Sequence, residues 1–184
     1  MVRINMGCGW RNFGSDWIHI DGGDYEHLDF KSNLVDIPEL EKETADLIYA
    51  SHVIEYFDRN EVLEVLLEWR RILKPNGTLR LAVPNFEVLS NLYLKKQIKL
   101  DNVLGPLYGK MEMDGSFIYH KTTYDFYSLS VLLNSLGFED IRLYDWRKTE
   151  HCQFDDHSQA YFPHMDKENG TLISLNVECN KREF

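Results

Sequence analysis

Short apolar runs alternate with helical patterns along the 184 residues, and this alternation constrains the fold more than any other feature. Strands that alternate with helices are typical of an α/β fold with a mainly parallel sheet. No helical pattern separates the last two predicted strands, so we expect that pair to be antiparallel. The predicted strands are Val2–Met6, Trp17–Ile20, Asn33–Ile37, Ala45–Ala50, Thr78–Val83, Ile141–Trp146 and Thr171–Cys179. The predicted helices begin near Asp58, Asn85 and Ser128, and the stretch Gln97–Asp125 is less regular.

Composition excludes several classes of protein. A net charge of -10 repels phosphate backbones and anionic lipid surfaces, so we expect no nucleic-acid partner and no membrane partner. Three cysteines without framework spacing favour free thiols, and no apolar segment of signal-peptide or membrane-spanning length occurs. We therefore expect a cytoplasmic protein, either monomeric or homodimeric. Because no repeat or linker-like tract interrupts the chain, residues 1–184 are expected to form a single domain.

The sequence Gly7-Cys8-Gly9 directly follows the first predicted strand, and Asp21 directly follows the second. Glycine lets a backbone turn sharply and approach a ligand, because no Cβ stands in the way. An aspartate in this position can accept hydrogen bonds from both ribose hydroxyls of an adenosine, although so short a motif also matches ordinary turns. The dinucleotide fingerprint G-x-G-x-x-G would need a third glycine where Asn12 stands. A cofactor with adenosine but no pyrophosphate therefore fits the segment better.

Three motifs, in order, resemble those of the class I S-adenosylmethionine (SAM)-dependent methyltransferases. They cover about the first half of the chain. Within them, Asn76 replaces the first glycine of a family turn, and Tyr56 stands where many relatives have a second histidine. The matching segments are Ile4–Gly9 with Trp17–Asp21 (first SAM motif and acidic loop), Ala45–Tyr56 (fourth-strand motif) and Arg70–Leu79 (the R-x-L-K-P-G-G turn).

The resemblance implies a three-layer, Rossmann-like sandwich around a seven-stranded, mostly parallel sheet with an antiparallel last strand. Only Trp10–Asp16 separates the first two predicted strands, which is fewer than the dozen residues of a usual parallel crossover. Either the first helix is reduced or the boundaries of these two strands are wrong, and we expect a reduced first helix. The SAM-binding half would cover about residues 1–85, and acceptor-side elements would lie at about residues 97–127 and 147–170.

The resemblance also implies which residues hold the methionine and ribose portions of SAM. Gly7, Cys8 and Gly9 would pass beneath the methionine portion. Asp21 would bind the ribose, with Gly22 beside it in the same loop. After methyl transfer, the same site would hold the product S-adenosylhomocysteine (SAH).

Two further pairs of residues complete the implied cofactor site. Asp36 and Ile37, at the end of the third predicted strand, would flank the adenine, and Asp36 would accept a hydrogen bond from its amino group. Ala50 and Ser51 would line the end of the fourth strand beside the sulfonium. Ala50 and Ser51 lie within the fourth-strand motif, and Asp36 and Ile37 are placed by the end of the third predicted strand.

The acceptor side is expected to supply a base, because a hydroxyl acceptor must lose a proton as it attacks the methyl group. Histidine is the natural candidate near neutral pH, and the candidates are His52, His120 and His157. Each of them could instead be a histidine that only bonds nearby groups of the protein. The histidines and aspartates of His151–Asp166 match no closed zinc pattern, so we expect no metal.

The predicted function is transfer of a methyl group from SAM to an oxygen or nitrogen of a small-molecule acceptor. A second hypothesis is a protein that binds SAM or SAH without turnover. A third, disfavoured by Asn12, is a nicotinamide-dependent oxidoreductase.

Overall fold

The structure, a computed structural model, describes residues 1–113 and 115–183. Its α-helices are α1 (Glu61–Ile72), α2 (Phe86–Leu94), α3 (Leu100–Tyr108) and α4 (Phe126–Ser135). Its strands are β1 (Arg3–Met6), β2 (Ile18–Asp21), β3 (Phe30–Lys31), β4 (Ala45–Ser51), β5 (Leu73–Pro84), β6 (Met111–Met113), β7 (Ser116–Ile118), β8 (Phe138–Leu143), β9 (Tyr161–Phe162), β10 (Thr171–Leu172) and β11 (Ser174–Lys181). Within the described residues, no helix is both long and apolar enough to cross a bilayer.

Seven of the strands form one sheet in the order β3-β2-β1-β4-β5-β11-β8. The neighbouring pairs from β3 to β5 are parallel, while β11 is antiparallel to both β5 and β8. This arrangement confirms the predicted fold, including its antiparallel last strand. Met6 pairs with both Ile20 and Ala50, so the residues that follow β1, β2 and β4 emerge side by side at one edge of the sheet. We call this edge the carboxyl edge.

One face of the sheet is apolar and packs against α1 and α4. Val62, Val65, Leu66 and Trp69 of α1 recur at helical spacing and are almost completely buried. Burying a side chain of this size contributes about 1.5–3 kcal/mol. The indole N–H of Trp69 also donates to the Leu34 carbonyl at 3.0 Å, so the largest buried side chain is both packed and hydrogen-bonded.

The opposite face of the sheet is more polar, and largely irregular segments cover it. The Tyr49 hydroxyl donates to Asp156 Oδ2 at 2.6 Å, and Phe13 stacks on Phe154 with ring centroids 4.7 Å apart. Residues 7–17, all of them described, contain no helix, as expected from the short connection between the first two strands. The segment around Asp156 thus packs on this face of the sheet and against the connection between β1 and β2.

The predicted third strand, Asn33–Ile37, is wrong. The strand that pairs with β2 is β3, because Phe30 and Lys31 align with Ile20 and Asp21. Residues 33–37 instead form a turn in which Ile37 is completely buried in the apolar core. The apolar run therefore indicated burial, but the burial comes from a turn that crosses over the core.

The irregular stretch and the sixth predicted strand also differ from expectation. Gln97–Asp125 contains α3 and a hairpin of β6 and β7. Gly105 and Pro106 lie inside α3, and such residues usually argue against a helix. The sixth strand lies earlier than predicted, at Phe138–Leu143, because it begins directly after Gly137, which has a φ of +84°.

Candidate active site

The Asp21 carboxylate connects the two loops at the start of the carboxyl edge. The Gly9 N–H donates to Asp21 Oδ2 at 2.8 Å, and the Gly23 N–H donates to Asp21 Oδ1 at 2.7 Å. Asp21 is only 6% exposed. Because each carboxylate oxygen has two lone pairs, each retains capacity for another hydrogen bond. Asp21 therefore orders the glycine loop and keeps acceptor capacity beside it.

Gly7 is required at its position for two independent reasons. Its φ of +65° lies in the left-handed region, and a Cβ built on it would lie 2.5 Å from Val53 Cγ2. The glycine loop therefore packs directly against the segment that follows β4. This contact places the glycine loop next to the polar residues that follow Ser51.

Replacing Gly7 with Ala is expected to lower the free energy of unfolding by about 2–5 kcal/mol. Left-handed strain accounts for about 1–2 kcal/mol and overpacking for about 1–3 kcal/mol. Gly14→Ala is the matched control, because Gly14 also has a positive φ but has no atom within 4 Å of the built Cβ. Urea unfolding should show the larger loss for Gly7→Ala. Equal losses in the two variants would contradict the steric role of Val53.

Cys8, between the two glycines, is buried. Burial, with the nearby charge of Asp21, raises the pKa of its thiol to about 12. Its sulfur lies 3.7 Å from His27 Nε2. The residue is therefore a neutral thiol that packs beneath the loop, and it does not act as a nucleophile near neutral pH.

Asp36 and Ile37 do not end the third strand, so the structural basis for placing them beside the adenine is lost. Asp36 is exposed, and the Ile37 N–H donates to Glu68 Oε1 at 3.0 Å within the apolar core. The residues that do follow β3 are Ser32 and Asn33. Sequence reasoning missed them because β3 has only two residues and no apolar pattern of its own.

At the end of β4 the chain changes direction sharply. Ala50 is 1% exposed, and the buried Ser51 Oγ has no hydrogen-bond partner within the described residues. His52 follows with a φ of +56°, a conformation that is uncommon outside glycine and that clusters at functional sites. This turn directs the next residues back toward the glycine loop.

Glu55 lies completely buried just beyond that turn, and sequence reasoning did not single it out. Neither oxygen of its side chain has a hydrogen-bond partner within the part of the chain that the structure describes. His52 Nδ1 lies 3.4 Å from Glu55 Oε1, and His120 Nε2 lies 4.0 Å from the same oxygen. Burial disfavours the charged form and raises the pKa of Glu55 to about 8. A buried carboxyl group with a pKa near the working pH is suited to proton transfer.

The structure brings the three candidate histidines together around Glu55. The His157 ring makes an edge-on contact with His52 at 5.0 Å between centroids, and the second ring nitrogen of His52 lies 3.4 Å from Ser174 Oγ. His120 Nδ1 lies 3.1 Å from the Pro106 carbonyl oxygen, which favours the tautomer with the proton on Nδ1.

Burial lowers the pKa of both His52 and His120, and for His52 the effect is large. The neighbouring His157 lowers the pKa of His52 further. Both imidazoles are therefore neutral at pH 7, and each has one unprotonated ring nitrogen that can accept a proton during a reaction.

Two clefts open at the carboxyl edge beside this cluster, each of about 220 Å³. One lies between Asn85, Phe126 and Ser174, and the other lies between Arg11 and His157. Within the described residues, no three His, Cys, Asp or Glu side chains are grouped closely enough to hold a metal ion.

Comparison with known proteins gives a family-model match over part of the chain and a shared fold. The family model described as a methyltransferase domain matches residues 10–81. No protein of curated function matches the sequence significantly. Among solved structures, a SAM-dependent methyltransferase from Archaeoglobus fulgidus is 16% identical with a TM-score of 0.58, and the match covers 98% of this chain and 86% of that chain.

Two other solved structures share the fold. A SAM-dependent methyltransferase from Methanosarcina mazei is 14% identical with a TM-score of 0.58, covering 100% of this chain and 93% of that one. The 1,6-didemethyltoxoflavin-N1-methyltransferase of Burkholderia thailandensis, with bound 1,6-didemethyltoxoflavin and SAH, is 11% identical with a TM-score of 0.56, covering 99% and 71%. The methyltransferase-domain match and the shared fold support a class I SAM-dependent methyltransferase with SAM as its cofactor.

Proposed function

We propose that the protein transfers the methyl group of SAM to an oxygen or nitrogen of a small molecule bound at the carboxyl edge. One observation carries this proposal: His52 and Glu55, which contact each other, flank Val53, the residue that packs on the glycine loop. SAM bound at the glycine loop would therefore have a proton-accepting group, the pair of His52 and Glu55, close to its methyl group. The fold match to the Burkholderia N1-methyltransferase, whose acceptor is a small molecule, is consistent with this class of acceptor.

Residues of the glycine and acidic loops would hold SAM in this proposal. Asp21 would accept hydrogen bonds from the ribose, and Ser32 with Asn33 would flank the adenine in place of the residues expected from sequence. The remaining cofactor contacts are proposed at the positions implied by the family motifs, which are Gly7, Cys8, Gly9, Gly22, Ala50 and Ser51.

His52 would act as the general base, and Glu55 would orient it. An ionised Glu55 would attract the Nδ1–H of His52, 3.4 Å away, and would leave unprotonated the other ring nitrogen, which lies 3.4 Å from Ser174 Oγ in the wall of one cleft. That nitrogen would take the acceptor's proton during the transfer. Bound SAM would supply the activated methyl group, with SAH as the product. Positioning the two reactants contributes up to about 7–11 kcal/mol of the barrier reduction.

His120 and His157 would line the acceptor side of the site. His157 belongs to the segment that leaves β8, and His120 to the segment that enters α4, so both proposed acceptor segments reach Glu55 or its partner His52. We also propose that residues 1–184 act as one domain, as a monomer or homodimer. The cysteines of the chain are irregularly spaced, which favours free thiols, and we propose a location in the reducing cytoplasm.

Incubation with labelled SAM and panels of small-molecule alcohols, phenols and amines tests the proposal. Label is expected to pass to an acceptor, with SAH released in equal amount. The His52→Ala variant should lose most of this turnover and keep its affinity for SAH. Binding of SAH without transfer to any acceptor class would contradict the small-molecule assignment, and so would transfer only to a protein or nucleic acid.

A further inference from the structure

Arg11 lies in the wall of one of the two clefts at the carboxyl edge. It follows Gly9 by two residues, and His157 lines the same cleft. Because His157 also contacts His52, this cleft adjoins both the proposed methyl donor and the proposed base. A molecule bound here would therefore be close to both reacting groups.

Among the described residues, Arg11 is a cation of this cleft without a carboxylate partner. Its Nε donates to the Asp155 carbonyl at 3.0 Å, and its guanidinium carbon lies 4.8 Å from the centroid of the Trp10 ring. Within residues 1–113 and 115–183, no carboxylate lies within 4 Å of the guanidinium nitrogens. The terminal nitrogens of Arg11 are therefore available to a ligand.

The two aspartates that line the cleft are already engaged. Asp155 Oδ1 forms an ion pair with Lys167 Nζ at 2.8 Å. Asp156 accepts from the Tyr49 hydroxyl at 2.6 Å and from the Ser158 N–H at 2.8 Å. Both carboxylates thus have partners in the protein, and neither is aimed at Arg11.

We propose that Arg11 binds an anionic group of the acceptor, a carboxylate or a phosphate, so that the acceptor is an anionic small molecule. The guanidinium presents a planar pair of donors that matches both oxyanions. This inference rests on the proposed function, because it takes the cleft to be the acceptor site. In a protein of net charge -10, an unpaired arginine beside the reacting groups is the feature that would attract such a molecule.

Matched pairs of probes test the proposal on the SAH complex. The probes are 4-hydroxybenzoate against 4-hydroxybenzamide, glucuronate against glucose, and inorganic phosphate alone, with affinities measured by calorimetry or ligand-observed NMR. In the unmodified protein, at least one carboxylate or phosphate is expected to bind tenfold or more tightly than its neutral counterpart. Arg11→Gln should remove that preference, and Arg11→Lys should retain part of it, because charge remains but the planar pair of donors is lost.

The control variant is Arg59→Gln, at an exposed arginine outside the cleft, which should keep the full preference. Equal affinity for every pair with no phosphate binding would overturn the proposal, and so would an unchanged preference in Arg11→Gln. A third contradicting result is that Arg11→Gln weakens binding of SAH but not of 5′-methylthioadenosine, which lacks the amino-acid portion. Arg11 would then serve the cofactor's own carboxylate.

These outcomes differ from failure of the proposed function itself. If the unmodified protein binds no SAH, the cofactor site is absent regardless of what Arg11 binds. If SAH binds and anions show no preference, only the assignment of an anionic acceptor fails. Unchanged binding of 5′-methylthioadenosine by Arg11→Gln also shows that this variant is folded.

Discussion

Replacing Glu55 with Gln is expected to lower the rate of methyl transfer by about 10²–10⁴-fold, the usual contribution of general acid–base catalysis. The affinity for SAH should not change, because the side chain of Glu55 faces His52 and His120. Gln fills the same volume but cannot become an anion that holds the Nδ1–H of His52. Glu64→Gln, an exposed position on α1, is the matched control and should keep full activity.

The pH dependence of the rate gives a second readout for Glu55. Because burial raises its pKa to about 8, the active carboxylate form is a minority at pH 7 and predominates above pH 8. The rate should therefore rise about tenfold per pH unit below pH 8 and level off above it. Glu55→Gln should lack this rise. A variant with the normal rate and the normal profile would show that the base lies elsewhere.

Stability separates a catalytic role of Glu55 from a structural one. Its folded-state pKa lies above the ordinary value of 4.5, so folding favours the protonated form. The unmodified protein should therefore lose stability as the pH rises from about 4.5 through about 8. Glu55→Gln does not carry this penalty and should be at least as stable at pH 9. Loss of activity with retained stability would then come from the missing carboxylate.

Replacing Asp21 with Asn is expected to weaken SAM and SAH binding by roughly 10- to 100-fold. Hydrogen bonds to charged groups contribute about 1.5–3 kcal/mol, and a tenfold change in Kd corresponds to about 1.4 kcal/mol. Asn keeps one carbonyl oxygen, so one of the two hydrogen bonds from Gly9 and Gly23 can remain. Calorimetric titration measures the affinity, and the Tm without ligand reports any loosening of the loops.

Asp24→Asn is the control for Asp21, because Asp24 lies in the same loop with a side chain that is 96% exposed. It should bind SAH as the unmodified protein does. Equal affinity of Asp21→Asn and Asp24→Asn for SAH would contradict a contact between Asp21 and the ribose.

The mostly parallel sheet and the glycine loop were accessible from sequence because each has a strong local signal. The Gly7-Cys8-Gly9 segment follows β1 and Asp21 ends β2, and both are short parallel strands with three consecutive buried residues. The third strand was missed because β3 has only two residues, whereas the more apolar turn after it contains the buried Leu34 and Ile37. A run of apolar residues indicates that a segment is buried. It does not show whether the buried segment is a strand or an irregular loop.

Glu55 shows what sequence reasoning could not supply. Its position in the fourth-strand motif was visible, but a glutamate is rarely buried, and pattern alone gives no reason to expect it. The one available signal for its burial is that Glu55 directly follows two buried apolar residues, Val53 and Ile54. The histidines at 52, 120 and 157 were found by topology, since loops at the carboxyl ends of parallel strands meet at one edge.

Titration of the purified, folded protein with SAH tests the central claim most directly, namely that an adenosyl cofactor binds across the carboxyl edge beside Asp21. The expected result is saturable heat with one SAH per chain. It should be accompanied by a rise in Tm, since a ligand at 100 times its Kd stabilises the folded state by about 2.7 kcal/mol. Absence of both heat and a Tm shift at millimolar SAH, with circular dichroism confirming a folded chain, would contradict the claim.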